Sequence, residues 1–208
     1  MSQQQHLLSK ILKTFILSLL VATIGTFVGQ YVPPSLFIPL MIFELVILIF
    51  ALFLRKSKSI GYGFLYFFTF LTGVTAYPVV SHYTGELGGQ VVMAIFFATM
   101  VIFTVLGTLG YMTKRNLMNW GGVLLSALLA LIIVSLIGLF FPFGTAGLWV
   151  ITIAGILIFS GFIIYDFNMI KNMPLTDDDV PLMALNLYLD FLNLFLDLLR
   201  LVGLLSKD

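Results

Sequence analysis

Long apolar runs alternate with short polar breaks along the chain, a pattern typical of helices that cross a membrane. A spanning helix needs about 20 mostly apolar residues. Runs of this kind follow one another from residue 11 to residue 205, and the breaks between them are too short for a further domain. The predicted helices are Ile11–Gly29, Leu36–Leu54, Ile60–Val80, Val91–Met112, Trp120–Phe140, Leu148–Ile170 and Leu182–Leu205.

The polar breaks give each predicted helix an end. Pro33-Pro34 stop the first helix, and the segment RKSKS at Arg55–Ser59 ends the second. The longest break precedes the last helix, and Asp177–Asp179 within it are expected to cap that helix. Because such short loops make neighbouring helices antiparallel, we predict a single seven-helix domain over residues 1–208, with a short polar tail at residues 1–10.

Composition identifies the class of protein. Hydrophobic residues make up 61% of the chain and charged residues only 9%, with a mean hydropathy of +1.14, whereas soluble domains carry about 25% charged residues. We therefore predict an all-α integral membrane protein whose main partner is the lipid bilayer. The net charge of +1 argues against a nucleic-acid partner, and no protein partner is indicated. The first apolar run lacks a small-residue cleavage site and is expected to be a retained helix.

Basic residues predict the orientation. They occur in the N-terminal region and in the second, fourth and sixth loops, whereas the first, third and fifth loops have none. By the positive-inside rule, the N-terminus is expected to be cytoplasmic and the C-terminus extracytoplasmic, in a multi-pass protein of the cell membrane. Six spans with a re-entrant last segment remain an alternative, because that segment is the most polar. The cytoplasmic basic residues are Lys10, Lys13, Arg55, Lys56, Lys58, Lys114, Arg115 and Lys171.

The last predicted helix carries a polar stripe. At about 100° per residue, its polar side chains fall within an arc of about 80°. A charged side chain costs about 2.5–3.5 kcal/mol at the centre of a spanning helix, so the stripe must face protein or water. We therefore expect the last helix to be central in the bundle. The stripe consists of Asn186, Asp190, Asn193, Asp197 and Arg200.

Asp166, near the end of the sixth predicted helix, lies at a depth similar to that of Asp190. At about 1.5 Å per residue, the two lie roughly 7 and 12 Å from the cytoplasmic edge. Two carboxylates in contact cannot both ionise cheaply, so such a pair can share one proton. Arg55 can reach the pair by turning its side chain inward, and Glu44 lies about three turns earlier on the same helix face. These residues predict a polar track from the midplane to the cytoplasmic mouth.

Structural explanations compete with this functional one. Asp166 and Asp190 can be hydrogen-bonded to neighbouring helices, although carboxylates inside a membrane are functional by default. Arg55 at a cytoplasmic helix end is what topology alone requires. Asp197 and Arg200 can pair at a spacing of three residues.

An aspartyl intramembrane protease would also use two aspartates. Its pattern is YD on one helix, GxGD on the next and PAL afterwards. Tyr165-Asp166 matches the first part, but Leu187–Asp190 reads LYLD, without glycines, and no PAL follows. A zinc protease is excluded because HExxH is missing and His6 and His82 are the only histidines. We therefore expect neither enzymatic activity nor a bound cofactor.

The segments IIYDFNMIKN and MALNLYLDFLNLF, with LTDDDVP between them, resemble the transmembrane Bax inhibitor motif family. The similarity extends over all seven spans, including FELVILIFALFLRK and YPVVSHY, and is greatest to the bacterial YetJ-type members. The resemblance implies a central seventh helix wrapped by six others and a pH-sensitive calcium leak. It implies a gating dyad of Asp166 and Asp190, a latch at Arg55 and a buried acid at Glu44. Asp197 departs from the family pattern, in which an uncharged residue is expected.

The leading hypothesis is a pH-sensitive calcium leak channel gated by an aspartate pair near the cytoplasmic side. Ca²⁺ is the expected permeating ion and the proton its regulator. Carboxylates suit Ca²⁺, so Asp166, Asp190 and Glu44 are expected to bind it transiently. The alternatives are a proton-coupled cation carrier, such as a Ca²⁺/H⁺ exchanger, and a membrane interaction protein without transport. The residues predicted to line the ion path are Glu44, Asn186, Asn193 and Asp197.

Overall fold

A computed structural model describes residues 3–54 and 60–207 as an all-α protein. Over these ranges it contains seven α-helices and no strand. A short 3-10 helix, Asp177–Asp179, precedes the last α-helix. The α-helices are α1 (Gln3–Gly29), α2 (Pro34–Leu54), α3 (Tyr62–Leu87), α4 (Gly89–Met112), α5 (Trp120–Phe140), α6 (Thr145–Asn172) and α7 (Val180–Leu205).

The helices confirm the predicted all-α membrane fold. Six of those described are long and apolar enough to cross a membrane, and α2 adds a shorter apolar stretch, Pro34–Leu48. The last helix is continuous over 26 residues, or about 39 Å, and lacks the turn that a re-entrant segment needs. It is also the most buried of the six, with 61% of its apolar stretch inside the protein, as expected for a central helix.

Two predicted boundaries differ most from the observed ones. The first helix begins at Gln3 and not at Ile11, so it includes most of the residues predicted as a polar tail. The third helix does not stop at Val80 but continues to Leu87, because polar side chains can extend a helix beyond its apolar part. Only Gly88 then separates α3 from α4, with a φ of 88°. Glycine adopts this left-handed conformation without steric cost, so one residue is enough to end α3 and begin α4.

The chain divides into two compact units. The first comprises Met1–Ser81 and Pro174–Tyr188, and the second comprises His82–Met173 and Leu189–Asp208. The last helix therefore contributes its first part to one unit and the rest to the other. The single domain over residues 1–208 stays a prediction.

In the first unit, α1 and α3 pack through small residues. Gly25 lies directly against the backbone of Phe70, and Gly73 lies against the backbone of Ala22. The Thr26 hydroxyl donates across the same contact to the carbonyl of Gly73 at 3.0 Å. Small residues allow this approach because no side chain separates the two backbones.

The start of the last helix is fixed in the same unit. Asp179 Oδ2 accepts hydrogen bonds from the backbone N–H of Thr176 at 2.7 Å and from its hydroxyl at 2.8 Å. Asp177 pairs with Lys10 of α1 at 2.8 Å. The predicted capping by the acidic run is therefore present, and the beginning of α1 lies beside the loop before α7.

In the second unit, phenylalanine rings join α4, α6 and α7. Phe103 of α4 meets Phe167 of α6 and Phe191 of α7 edge to face, with both centroid distances at 5.6 Å. Phe96, also on α4, meets Phe191 at 5.5 Å and Phe195 at 5.6 Å. Edge-to-face geometry is favourable for aromatic pairs, so these contacts hold α7 against its neighbours around the buried acidic residues.

The packing of α1 on α3 can be tested with glycine variants. A Cβ at Gly25 would meet backbone atoms of Phe70 and Val74, so Gly25→Ala is expected to lower stability by about 1–3 kcal/mol through overpacking. Gly85→Ala is the matched control, because nothing lies within 4 Å of a Cβ there. Thermal unfolding in detergent measures both variants, and equal midpoints would contradict the close contact.

Candidate functional site

Asp166 of α6 and Asp190 of α7 lie together in the second unit. Their exposed fractions are 4% and 6%, and the charge of Asp166 acts on Asp190. Asp190 Oδ2 is buried and has no hydrogen-bond partner among the described residues. A buried carboxylate oxygen without a donor is costly when ionised, so Asp190 Oδ2 is a position where a proton or a cation would be stabilising.

The rest of the polar stripe has other partners. Asp197 is buried, accepts a hydrogen bond from Arg200 Nη1 at 2.9 Å and places its carboxylate against Gly155 of α6. Asp197 and Arg200 therefore pair at a spacing of three residues, as the structural explanation predicts. Asn193 donates to a carbonyl of its own helix at 2.7 Å. Asn186 is half-buried in the part of α7 that belongs to the first unit.

Glu44 of α2 belongs to a hydroxyl network in the first unit. The Thr75 hydroxyl on α3 donates to Glu44 Oε2 at 2.5 Å. One turn earlier, the hydroxyl of Thr72 bonds to that of Tyr188 on α7, which also donates to the carbonyl of Thr69 at 3.4 Å. Glu44 and Tyr188 interact electrostatically. The predicted midplane acid therefore has a hydroxyl partner on α3.

Sequence reasoning missed this network because isolated threonines are ordinary in spanning helices. The available signal was their spacing, since Thr69, Thr72 and Thr75 recur every three residues and share one face of α3. Tyr188 was also missed, although it is fully buried and a buried tyrosine hydroxyl usually needs a partner.

Asn168, two residues after Asp166, was missed as well. It is fully buried, and its Oδ1 accepts a hydrogen bond from the Leu117 N–H at 2.9 Å. Its Nδ2 donates to the carbonyl of Arg115 at 3.0 Å and to that of Gly110 at 3.2 Å. This one amide therefore ties the loop between α4 and α5 to the turn of α6 that carries Asp166.

A second polar cluster joins the ends of α3 and α7. Glu86 pairs with Lys207 at 2.9 Å and with His82 at 3.3 Å. The hydrogen bond with Glu86 raises the pKa of Lys207. The ring of Tyr83 packs against Gly203 in the same region. Within the second unit, the end of α3 and the end of α7 are therefore in contact; the predicted orientation in the membrane stays a prediction.

The predicted site also includes a latch and the transient binding of Ca²⁺. Arg55, the predicted latch, lies outside the described residues. No group of three or more His, Cys, Asp or Glu side chains that could hold a metal ion occurs in the described ranges. Transient binding of Ca²⁺ by Asp166, Asp190 and Glu44 stays a prediction.

Comparison with known proteins identifies the family. The family model for inhibitors of apoptosis-promoting Bax1 matches residues 4–207. The chain belongs to this Bax inhibitor family. Its members among the relatives include the Escherichia coli K12 inner membrane protein YbhL, 33% identical over 168 residues, which cover 76% of this chain and 70% of that protein. This agrees with a multi-pass membrane location.

Two other relatives broaden the comparison. An uncharacterized protein of Helicobacter pylori J99 is 32% identical over 200 residues, covering 93% of this chain and 84% of that protein. The Golgi anti-apoptotic protein of vaccinia virus, strain Lister, is 36% identical over 144 residues, covering 69% of this chain and 58% of that protein. Similarity to this Bax inhibitor family protein therefore extends from bacteria to a virus.

The anchoring role of Asn168 gives a stability prediction. Asn168→Ala leaves buried backbone groups without partners, each at a cost of about 1–3 kcal/mol, so we expect a loss of about 2–4 kcal/mol. Asn119→Ala is the matched control, because Asn119 is exposed and makes no side-chain cap hydrogen bond. Unfolding midpoints in detergent report the difference. Similar midpoints for the two variants would mean that the loop is held by other contacts.

Proposed function

We propose that this Bax inhibitor family membrane protein is a pH-sensitive calcium leak channel gated by Asp166 and Asp190. The observation that carries the proposal is the burial of both carboxylates on adjoining helices of one unit, with the charge of one acting on the other. Acidic groups inside a membrane protein are costly and typically mark ion or proton pathways.

The pair can link proton binding to cation binding. Two interacting carboxylates titrate as a unit, so they can hold one proton between them over a range of pH. Carboxylate oxygens are also hard ligands suited to Ca²⁺. A proton and a cation then compete for the same oxygens, which makes the flux sensitive to pH.

The remaining predicted residues complete the path and its latch. We predict from the sequence that Arg55 holds the charged pair through charge-assisted hydrogen bonds, which are stronger than neutral ones. Protonation of both aspartates removes the charge that holds Arg55 and favours opening at acid pH. Repulsion between the two ionised aspartates opposes this by favouring opening at high pH. Attraction of one arginine to both carboxylates offsets that repulsion at similar distance. The residues predicted from the sequence to line the path are Glu44, Asn186, Asn193 and Asp197.

A proton-coupled cation carrier is the second candidate, since buried acids such as Glu44 beside Thr75 also occur in proton relays. An interaction protein without transport is the third, and the name of the viral relative points to cell death. Reconstitution into liposomes separates the three. Passive Ca²⁺ flux supports the channel, uphill flux driven by a proton gradient supports the carrier, and the absence of flux supports the interaction protein.

Asp190→Asn tests the gate. The variant removes the shared proton while keeping the size of the side chain, so we expect the pH dependence of Ca²⁺ flux in liposomes to flatten. Asp178→Asn makes the same chemical change at an exposed position of the 3-10 helix and is expected to leave the profile unchanged. A folded Asp190→Asn protein with the wild-type pH profile would remove the pair from the mechanism.

Arg55→Ala tests the latch. Without the arginine, we expect the channel to leak at neutral pH and to respond weakly to acid. Arg55→Lys is expected to restore the response only in part, because an ammonium group cannot form the bidentate fork of a guanidinium. The measurement is again Ca²⁺ flux against pH, and a normal closed state in folded Arg55→Ala would exclude Arg55 from gating.

A further inference from the structure

Glu44 is stabilised by a hydroxyl group inside an apolar helix. It is half-buried in α2, whose described apolar stretch, Pro34–Leu48, has no other charged residue. Among the described residues, no ion pair includes Glu44; its carboxylate instead accepts a hydrogen bond from the Thr75 hydroxyl at 2.5 Å. A single hydroxyl therefore stabilises this acid, whereas Asp177, Asp197 and Glu86 each pair with a cation.

The Thr75 hydroxyl has a second set of acceptors already in place. Its oxygen lies 3.1 Å from the carbonyl oxygen of Thr72 and 3.3 Å from that of Leu71. A hydroxyl carries one proton and two acceptor lone pairs, and it rotates to suit its partners. When Glu44 is ionised, Thr75 donates to it. When Glu44 is protonated, Glu44 donates to Thr75, which turns its own proton to a carbonyl.

The neighbouring turn of α3 repeats this arrangement. The hydroxyls of Thr72 and Tyr188 are bonded to each other, and either can be the donor. Both also reach the carbonyl of Thr69, at 3.0 Å from Thr72 and 3.4 Å from Tyr188. Tyr188 is the titratable group on α7 that interacts electrostatically with Glu44. A phenol ionises only near pH 10, so Tyr188 interacts with Glu44 through the dipole of its hydroxyl group, which can rotate.

We propose that Thr75 is a positioning residue that keeps Glu44 hydrogen-bonded in both protonation states and so makes Glu44 a second, reversible proton site. Protonated Glu44 cannot act as an anionic ligand, so proton and cation compete at this position too. The competition with a cation rests on the proposed function, whereas reversible protonation of Glu44 does not. The site is separate from the aspartate pair because it belongs to the first unit and uses hydroxyl partners.

Infrared titration of the full chain in lipid tests the proton site directly. The carbonyl stretch of a protonated carboxylic acid appears as pH falls, and its loss in Glu44→Gln assigns the Glu44 component. We expect this component to appear and disappear reversibly with pH in the wild type. A Glu44 that stays in one protonation state over the whole stability range of the protein would overturn the proposal.

Variants at Thr75 test its role. Thr75→Val removes the donor to the ionised form, and hydrogen bonds to charged groups are roughly twice as strong as neutral ones. We therefore expect the Glu44 signal to persist to a pH higher by roughly one unit, a tenfold change in proton concentration. Thr75→Ser keeps the hydroxyl and is expected to restore the wild-type midpoint. Thr104→Val is the matched control, because the exposed Thr104 hydroxyl donates to its own helix at 2.8 Å.

Each outcome bears on one part of the proposal. A Thr75→Val midpoint equal to that of the wild type would overturn the positioning role. If this variant does not fold, Thr75→Ala, which also lacks the hydroxyl, is measured in its place, and an unchanged midpoint there would overturn the role as well. Addition of Ca²⁺ alone at fixed pH should lower the Glu44 acid signal, and an unchanged signal would overturn the competition. A reversible Glu44 signal in a protein without Ca²⁺ flux would support the proton site and contradict the calcium leak.

Discussion

The cost of an ionised carboxylate away from water is the constraint on which the arrangement of this protein depends. Two acidic side chains near helix ends are paired with cations, in Lys10–Asp177 and Lys207–Glu86. Acidic side chains within the apolar helices are stabilised in other ways. Asp197 uses Arg200 on its own helix, Glu44 uses a threonine hydroxyl, and Asp166 and Asp190 lie together. Glu44 is in no ion pair among the described residues, and Asp190 Oδ2 has no hydrogen-bond donor there. At these two positions a proton can supply the missing charge.

Much of the fold could be predicted from the sequence because the thickness of the bilayer sets the length of apolar helices. The predicted and observed limits of the fifth helix, Trp120–Phe140, are identical, and the start of α7 follows from the acidic run after Thr176. Predictions failed where the helix leaves the apolar region. The apolar run ends at Val80, but α3 continues to Leu87. Polar residues can continue a helix beyond its apolar part, so the end of the apolar run does not mark the end of the helix. The left-handed Gly88 that ends it has no hydropathy signal.

The candidate site was predictable in part. Asp166 and Asp190 could be expected to lie close together. Both are a similar number of residues from the connection between α6 and α7, and antiparallel neighbouring helices bring such positions to a similar depth. The hydroxyl partners of Glu44 and the anchoring amide of Asn168 were not predictable in this way. Threonine and asparagine carry no charge to mark them in an apolar run, and their roles depend on which neighbouring backbone groups lack partners. Such information exists only once the helices are packed, as the three contacts of Asn168 demonstrate.

The central claim is that Asp166 and Asp190 bind protons as one unit. A carbon-13 NMR titration of the aspartate side-chain carboxyl carbons, in the wild type and in Asp166→Asn, measures this directly. The account predicts coupled titration in the wild type and a displacement of the Asp190 titration by about one pH unit or more when Asp166 is replaced. An Asp190 titration that is the same in both proteins would show that the two carboxylates are independent and would contradict the account.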